Sequence, residues 1–598
     1  MSSLALALLF CLICSSLPFA HQGQQVSGGF VSVKEAGAKG DGITDDTTAI
    51  QSVLDRFSQH MPSAQARGAT IYFPLGVYLI SSPLFYYGSP GTGIKLQGAL
   101  GRTRGTGYGS TIRWKGSPGG TMFIGIGMNN SQLDSIEFDV NGSARVGIHL
   151  AATNPINTAL GTAVPPGTAT VAPRSMTNIT SGTVLNVGRG TNMEPVYVTA
   201  STGSTFTATF AKSHSANDPV GGSAGSSGVE LRDVSVLNVP SARTTFDQSA
   251  LKSSAAILIG NQTSGGTPQV SEVSFSRLDL AGNNGSAGIA FITGGNIKNF
   301  LLSDVVMGGF HYGIDIVTGG SGTYSIFRPV FANTTVADVR ANGATVFISG
   351  AEAEGTTGHR FLVGSIGDNP YATTIIGSSW ESSAPSDDYV VAYSGSLTLI
   401  GNKFFNLRTS SSLPKLQIGD PLFTAHAPSI LFSVGNYYMN APSGYAPIYD
   451  GSNNQALPTY YSSQPVNVTS LGDYGGTGGA LVHLYNYLST SALTSQSASA
   501  VARSGLVRAG DTDTAVAFRD HRNHADVQGL AKDTSDVVFV GGTAGIGLNS
   551  PVQIGNAPNE NIKAPAKGTG MGPKTPGTVV GWVPVKVGDS TYFMPLMK

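Results

Sequence analysis

Short runs of alternating apolar and polar residues recur along most of the chain, and this period of two is typical of half-buried β-strands. The run 133–140 alternates in this way and predicts one strand. Two earlier strands are expected to point four large side chains inward: Ile94, Leu96, Ile112 and Trp114. Glycine-rich stretches separate the runs, so the pattern as a whole predicts an all-β chain.

The segment 30–84 contains a helical period as well. After a first strand and a glycine-rich turn, four apolar residues recur at the spacing of one helix face: Ile50, Val53, Leu54 and Phe57. The Thr-Asp-Asp run at 44–46 precedes them, and such side chains accept hydrogen bonds at a helix start. Beyond the helix, Ile71 and Phe73 alternate into the turn 74–76. Val77 and Leu79 alternate out of it, which predicts a hairpin.

The second half of the chain repeats with a period in the twenties. Gly288 and Gly313 open similar segments 25 residues apart. Four further turns open at Ile348, Ile376, Ile400 and Val434, and glycine follows the last three of these residues. In register, the repeat predicts one column of Trp380, Phe404 and Tyr438 and another of Asn402 and Asn436. Each repeat is expected to be one coil that buries its apolar face by stacking on the next.

Gly-Asp-Gly-Ile-Thr-Asp-Asp-Thr at 40–47, followed by Tyr-Phe-Pro-Leu-Gly-Val-Tyr at 72–78, resembles the rhamnogalacturonase- and epimerase-like N-terminal cap of the pectate lyase superfamily. The resemblance implies a right-handed single-stranded parallel β-helix with an N-terminal capping helix. In such proteins, which include tailspikes, this helix closes the open end of the β-helix. We therefore interpret Asp41, Asp45 and Asp46 as turn and capping residues rather than as a metal or catalytic cluster.

Changes in the pattern divide the chain into six segments. We predict a signal peptide at 1–20, the cap and first coils at 28–153, an inserted small β module at 154–222, the main parallel β-helix at 223–462, a neck or linker at 463–500, and a C-terminal β-rich module at 501–598. The C-terminal module resembles that of tailspike-like proteins and ends in a hairpin about Gly588-Asp589. By the same resemblance, a homotrimer is expected.

Composition and charge narrow the range of partners. Charged residues make up 12% of the chain and the formal net charge is −1, which disfavours nucleic acid as a partner. The apolar run Leu4–Cys14 is too short to span a bilayer and fits a signal peptide, so we expect a protein that is secreted or at the cell surface and has no membrane segment after cleavage. Both cysteines, Cys11 and Cys14, lie in that segment, so the mature chain would have no disulfide.

A β-helix offers a long groove to a polymer, and hydrolysis of a glycan needs two carboxylates. The densest acidic cluster supplies three catalytic candidates, Glu352, Glu354 and Glu381. Six nearby residues are candidates for substrate binding: His359, Arg360, Trp380, Asp387, Asp388 and Lys403. Asp315, with His311 and Tyr312, forms a second constellation. No cofactor is predicted, although calcium would assist a lyase.

Two functions remain open. The first is a glycoside hydrolase or polysaccharide lyase that binds and cleaves an extracellular polysaccharide. A standard polygalacturonase is not expected, because the sequence lacks the three triplets that a resemblance to polygalacturonases would require: Asn-Thr-Asp, Gly-His-Gly and Arg-Ile-Lys. The second is a non-catalytic spike or adhesin that binds glycan or serves as a structural surface protein. Convergent carboxylates on an open face would favour the enzyme.

Overall fold

The structure is a computed structural model, and the chain divides into two compact units, Met1–Leu506 and Val507–Lys598. It describes residues 29–58, 68–88, 93–103, 108–151, 153–181, 183–189, 192–244, 253–260, 270–292, 297–316, 322–355, 358–364, 372–380, 390–392, 395–404, 416–418, 429–439, 448–450, 455–456, 467–477, 480–488, 514–519, 526–532, 538–540, 579–587 and 590–597. The predicted signal peptide at 1–20 lies outside these residues.

The first unit is a right-handed parallel β-helix, as the sequence predicts, and its coils contribute strands to three ladders. The first ladder contains Phe30–Ser32, Ala69–Phe73, Ile94–Gly98, Gln132–Asp134, Ser226–Ser227, Glu230–Arg232, Val270–Ser276, Ile297–Ser303, Thr323–Phe327, Thr345–Ser349, Ala372–Ile376, Gly395–Ile400, Ser429–Val434 and Asn467–Thr477. The last of these also pairs antiparallel with Ala480–Leu488.

The second ladder contains Asp41–Asp45, Gly76–Ile80, Ser110–Trp114, Glu137–Asp139, Ser235–Val239, Val330–Ala332, Glu352–Glu354, Ser379–Trp380, Lys403–Phe404 and Tyr437–Met439. The third contains Leu84–Tyr87, Thr121–Ile126, Val146–Ala151, Ala255–Ile259, Ala337–Asn342, His359–Gly364, Val390–Ala392, Leu416–Ile418 and Ile448–Asp450, the last paired with Gln455–Ala456. Two long strands belong to both the second and the third ladder: Asp279–Phe291 and Val306–Ile316.

The N-terminal cap has the predicted helix, α1, at Thr47–Phe57. Its four predicted apolar residues are buried and share the core of the β-helix. The aspartates before it are turn residues, as interpreted, but Asp46 at the N-cap position makes no side-chain hydrogen bond to the helix. Asp41 accepts the backbone N–H groups of Ile43 and Thr44, and these bonds lower the pKa of its carboxyl to about 2. Asp45 accepts the N–H of Thr47 at 3.0 Å, and Asp46 accepts those of two residues in the preceding turn.

The corner between the first and second ladders is a single residue in the left-handed region. Five of these corner residues are not glycine and have φ between 48° and 56°: Ser135, Asp233, Arg277, Asp304 and Arg328. The three glycines that the repeat singles out, Gly377, Gly401 and Gly435, occupy the same place with φ of 58–61°, which confirms them as turn residues. The run 133–140 is therefore not one strand, because Ser135 divides it at a corner.

The predicted hairpin at 71–79 is wrong for the same reason. Ala69–Phe73 pairs in parallel with Ile94–Gly98, whereas Gly76–Ile80 pairs with Ser110–Trp114. The two strands are therefore successive sides of one coil, and the bend between them changes which residues point inward. Tyr78 and Ile80 join the core in place of the expected Val77 and Leu79.

The columns predicted from the repeat are confirmed. Trp380 pairs with Phe404, and Phe404 pairs with Tyr438 on the next coil. Asn402 and Asn436 are fully buried, and the Asn402 amide donates to the Asn436 side-chain oxygen at 2.9 Å. Buried amides bonded from coil to coil satisfy polar groups that the core could not otherwise accommodate.

An antiparallel β module is inserted between two neighbouring coils. It comprises Thr153–Ala159, Gly167–Val171, Val184–Val187, Glu194–Ser201, Phe206–Phe210 and Pro219–Ala224. Its own apolar core encloses an ionisable pair in which His214 Nε2 lies 2.7 Å from a Glu194 oxygen. Val184 is buried with Ile124 and Ala151 of the third ladder, so the module packs on that ladder.

The second unit contains two separate antiparallel sheets. Thr514–Arg519, Asp526–Lys532 and Val538–Val540 form one, and Val579–Val587 with Ser590–Met597 forms the other. Val587 lies opposite Ser590, so the predicted terminal hairpin is confirmed. Within the described parts of the chain, no helix is both long and apolar enough to cross a membrane.

Candidate functional site

The third ladder carries two carboxylate–arginine pairs on its outward side. Ile314 and Ile316 point into the core, so the residue between them, Asp315, points away from it. Parallel pairing places Asp315 beside Arg340 on the next coil. Asp338, two residues before Arg340, forms the same kind of pair with Arg360. We call Tyr312, Asp315, Asp338, Arg340 and Arg360 the third-ladder face.

The first pair fixes the orientation of Arg340. Its Nε and Nη2 atoms donate to the two oxygens of Asp315 at 2.6 and 2.7 Å. The guanidinium carbon also lies 4.2 Å from the centre of the Tyr312 ring. Asp315 is fully buried, and burial raises the pKa of its carboxyl while Arg340 offsets part of the rise. A guanidinium held between a carboxylate and a ring is preorganised, and its own side chain keeps 21% of its surface exposed.

The second pair is buried on both sides. Arg360 Nη1 donates to Asp338 at 2.9 Å, and the Thr334 hydroxyl donates to the other oxygen of the same carboxylate. Arg360 is only 1% exposed, so its predicted role in substrate binding is wrong: the guanidinium neutralises Asp338 inside the protein.

His311 belongs to the connection between the second and third ladders. Its Nε2 lies 3.2 Å from the carbonyl oxygen of Ala242 and must donate, because a carbonyl only accepts. In the neutral ring, Nδ1 then accepts from the Thr335 hydroxyl. His311 therefore forms hydrogen bonds to two connecting segments. Its sequence neighbour Tyr312 contacts Arg340, which in turn is bonded to Asp315.

Two of the catalytic candidates share one face of the second ladder. Glu352 and Glu354 are exposed, and Ala353 between them is buried. Ser379 on the next coil pairs with Glu352, and Lys403 on the coil after that pairs with Ser379. Since one coil rises about 4.8 Å, the backbone of Lys403 lies about 10 Å from that of Glu352 on the same exposed face.

Trp380 does not bind a sugar, and that prediction is wrong. It is fully buried, with its ring centre 4.5 Å from that of Phe361 in an edge-to-face contact and 6.5 Å from that of Phe331. His359 pairs with Ala337 in the third ladder, but its side chain lies outside what the structure describes. Glu381, Asp387 and Asp388 also lie outside the described residues.

Sequence reasoning missed Arg340 and Asp338. The signal was available, because the 25-residue step from Gly288 to Gly313 also leads from Asp315 to Arg340. On the next coil the step is 22 residues, and it brings Asp338 to Arg360.

No group of three or more His, Cys, Asp or Glu side chains among the described residues is arranged to hold a metal ion.

A family model and several known proteins match parts of the chain. Residues 30–108 match the family model "Rhamnogalacturonase A/epimerase, pectate lyase-like", which confirms the resemblance predicted from the cap. The chain is 42% identical over 73 residues to the non-secreted LysM effector LysM19 of Penicillium expansum, covering 12% of this chain and 6% of that protein. It is 51% identical over 55 residues to a probable glucan endo-1,3-beta-glucosidase of Arthroderma benhamiae, covering 9% and 5%.

Among the solved structures that the chain matches is the A-module of mannuronan C-5 epimerase AlgE6 from Azotobacter vinelandii. It has 12% sequence identity and a TM-score of 0.32, and the match covers 75% of this chain and 99% of that one. The matched part of this chain spans only about a twentieth of the length of the curated relatives named above.

Proposed function

From a pectate lyase-like cap on a parallel β-helix, we propose that this protein is an extracellular or cell-surface enzyme that binds a polysaccharide along its coils and hydrolyses it. Stacked coils present the same kind of surface about every 4.8 Å, which suits a chain of repeated sugar units better than a small molecule.

The observation that carries the proposal is the pair of exposed carboxylates on the strand Glu352–Glu354. Residues two apart on a strand point to the same side, and their Cα atoms are separated by about 6.6 Å. We infer that the two parallel side chains keep roughly the separation of their Cα atoms. Carboxyl groups about 6.5–9.5 Å apart leave room for a water molecule between one carboxylate and the sugar, which is the arrangement of inverting glycosidases.

In the proposed reaction, one glutamic acid donates a proton to the glycosidic oxygen as the bond from that oxygen to the anomeric carbon breaks. The other glutamate takes a proton from a water molecule, whose oxygen bonds to the anomeric carbon from the opposite side. Each turnover consumes one water and creates one new reducing end, and the two carboxyl groups exchange protonation states before the next cycle.

The exposed Lys403 on the same face and the oriented Arg340 on the third ladder supply donors that can hold sugar hydroxyl or carboxylate groups. The name of the Arthroderma relative, a glucan-cleaving enzyme, is consistent with a polysaccharide substrate.

The test is incubation of the purified full chain with a panel of neutral and acidic polysaccharides, followed by measurement of new reducing ends. Glu352→Gln and Glu354→Gln are each expected to lower the rate at least a hundredfold, because each removes one proton-transfer group. Glu35→Gln, an exposed glutamate of the cap, is the matched control and should leave the rate unchanged. Full activity in both the Glu352→Gln and the Glu354→Gln variants would refute the assignment of these glutamates as catalytic residues.

Glycan binding without cleavage is the second candidate. It is favoured by the third-ladder face, where Asp315 and Asp338 are both buried and bonded to arginines and so cannot serve as open catalytic groups. Retention of a polysaccharide with no new reducing ends would support this function.

A further inference from the structure

The outward side of the first ladder is apolar in its later coils. Six consecutive strands, from Ile297–Ser303 to Ser429–Val434, place twelve outward side chains in two straight columns, one from Leu301 to Phe432 and the other from Ser303 to Val434. We call these twelve residues the first-ladder face. Five of them are serine or threonine, none is charged, and seven are apolar: Leu301, Phe327, Phe347, Ile376, Ile400, Phe432 and Val434.

The apolar side chains of the first-ladder face are only partly covered by the chain itself. Phe327 keeps 36% and Phe432 39% of its surface exposed. Phe347 belongs to the next coil after Phe327, and the centres of these two rings lie 5.7 Å apart. The residues that alternate with them, such as Ile326 and Ile348, point into the core. Apolar side chains that are gathered on one surface, rather than scattered singly, indicate an interaction site.

The same two columns are charged nearer the N-terminus. Asp134 lies in the second column, 2.9 Å from the amine of Lys95 and 2.6 Å from the guanidinium of Arg232 on the coils before and after it. Gln132 of the first column donates to Glu230 at 3.0 Å. Side chains of this kind suit a surface in contact with water, so the apolar character of the later coils is not a general property of the ladder.

The corner beside the first-ladder face changes over the same coils. The corner residues Arg277 and Arg328 carry long charged side chains, which bond to the corner aspartates of the preceding coils. In the last four of these coils the corner residue is an exposed glycine, and at three of them an added Cβ atom would meet nothing within 4 Å: Gly377, Gly401 and Gly435. No side chain projects from this edge of the face, so a second backbone can approach it closely.

Large and small side chains alternate on the face. Each of the first three strands presents one of each, in opposite order on successive coils: Leu301 with Ser303, Ser325 with Phe327, and Phe347 with Ser349. The face therefore has projections beside gaps. A second copy of the same face has projections that match these gaps, which is how two packed layers interdigitate.

We infer that the first-ladder face packs against the same face of a second copy of this chain. Sheets stack face to face about 10 Å apart, and a second copy is a sheet with the same spacing of about 4.8 Å between strands. The face holds no charge that would repel its copy. Contact through the same patch on both chains is isologous and closes as a pair.

The size of the surface is sufficient for this contact. Six strands cover about 29 Å along the helix axis, and the five residue steps from Thr345 to Gly350 span about 17 Å across it. Each copy then contributes roughly 500 Å², so that the pair buries about 1,000 Å², the lower limit for a specific interface. Glu352 and Glu354 belong to the second ladder, so the inference does not depend on the proposed function.

The experiment is sedimentation velocity of the purified full chain over a wide range of concentrations. The mass of two chains is expected at high concentration, falling toward the mass of one chain on dilution. Phe327→Ser should weaken pairing at least about tenfold because it removes an apolar contact, and Thr398→Lys should do the same because it places like charges opposite each other. Leu75→Ser removes a leucine that is 56% exposed in the cap, outside the face, and should pair as the unmodified chain does.

Circular dichroism and the thermal midpoint of each variant are measured on dilute, unpaired protein. Phe327→Ser also removes the ring contact with Phe347, whereas Thr398→Lys keeps every apolar side chain of the face and so separates loss of pairing from loss of folding. A mass of one chain at every concentration, a mass of three chains, or pairing that is equally strong in both face variants and in the unmodified chain would overturn the inference.

Discussion

At the scale of single residues, several charged side chains in the described part of the chain are held in pairs. Asp315 and Asp338 are buried, and each is bonded to an arginine of the following coil. A buried carboxylate that loses its partner retains the cost of leaving water without the compensating attraction. Arg340 and Arg360 therefore serve the stability of the third ladder before they serve any ligand.

Arg340→Ala is expected to lower the free energy of unfolding by about 3 kcal/mol or more, because it leaves Asp315 buried and unpaired. Chemical denaturation followed by circular dichroism measures the change. Arg328→Ala removes a similar pairing with Asp304 from the surface and should change the stability little. Equal losses in the two variants would contradict the account of the third-ladder face.

The pairing of Asp315 with Arg340 could be predicted from the sequence, because both lie one 25-residue step apart in the visible repeat. The burial of Arg360 and Trp380 could not. A charged or aromatic residue beside a glutamate resembles a binding site in the sequence, and only the packing of Phe361 and Asp338 around them identifies them as interior residues.

At the scale of elements, the corners decide the fold. The run 133–140 already contains the signal of a corner, because Asp134 and Ser135 are two polar residues in succession and shift the phase of the apolar positions. Where the corner residue is glycine, as at Gly401, the break is visible in the sequence. Where it is Ser135 or Arg277, local alternation continues well enough on both sides to imitate one strand.

Gly401→Ala is expected to lower the free energy of unfolding by about 1–2 kcal/mol, because alanine is strained at the φ of 60° that Gly401 adopts. The loss comes from this backbone strain alone, since a Cβ atom at this position would meet nothing within 4 Å. Gly401→Asn should lose less, since asparagine tolerates this region and Asn333 already adopts a φ of 53°.

Gly309→Ala should be the most damaging variant of this series, because its Cβ atom would lie 2.1 Å from the backbone oxygen of Gly282. Denaturation midpoints of the three variants give the order. A Gly309→Ala protein as stable as Gly401→Ala would show that the close approach of these two coils is not maintained in solution.

At the scale of the whole molecule, the inserted module interrupts the repeat of the coils. Glu137 pairs directly with Ser235, although 98 residues separate them and the module lies between. A repeat in the twenties cannot be followed across such an insertion, so nothing in the sequence aligns Glu137 with Ser235. The parallel coils, the cap and the later columns lie within uninterrupted repeats and could be predicted.

The most direct test of the central claim is proton NMR of the anomeric signals during the first minutes of cleavage of a polysaccharide that the full chain degrades. Hydrolysis by Glu352 and Glu354 across a water molecule predicts that the new reducing end appears first with the inverted anomeric configuration and only later equilibrates. A product that appears first with retained configuration, or an unsaturated uronate with no water added, would contradict the account.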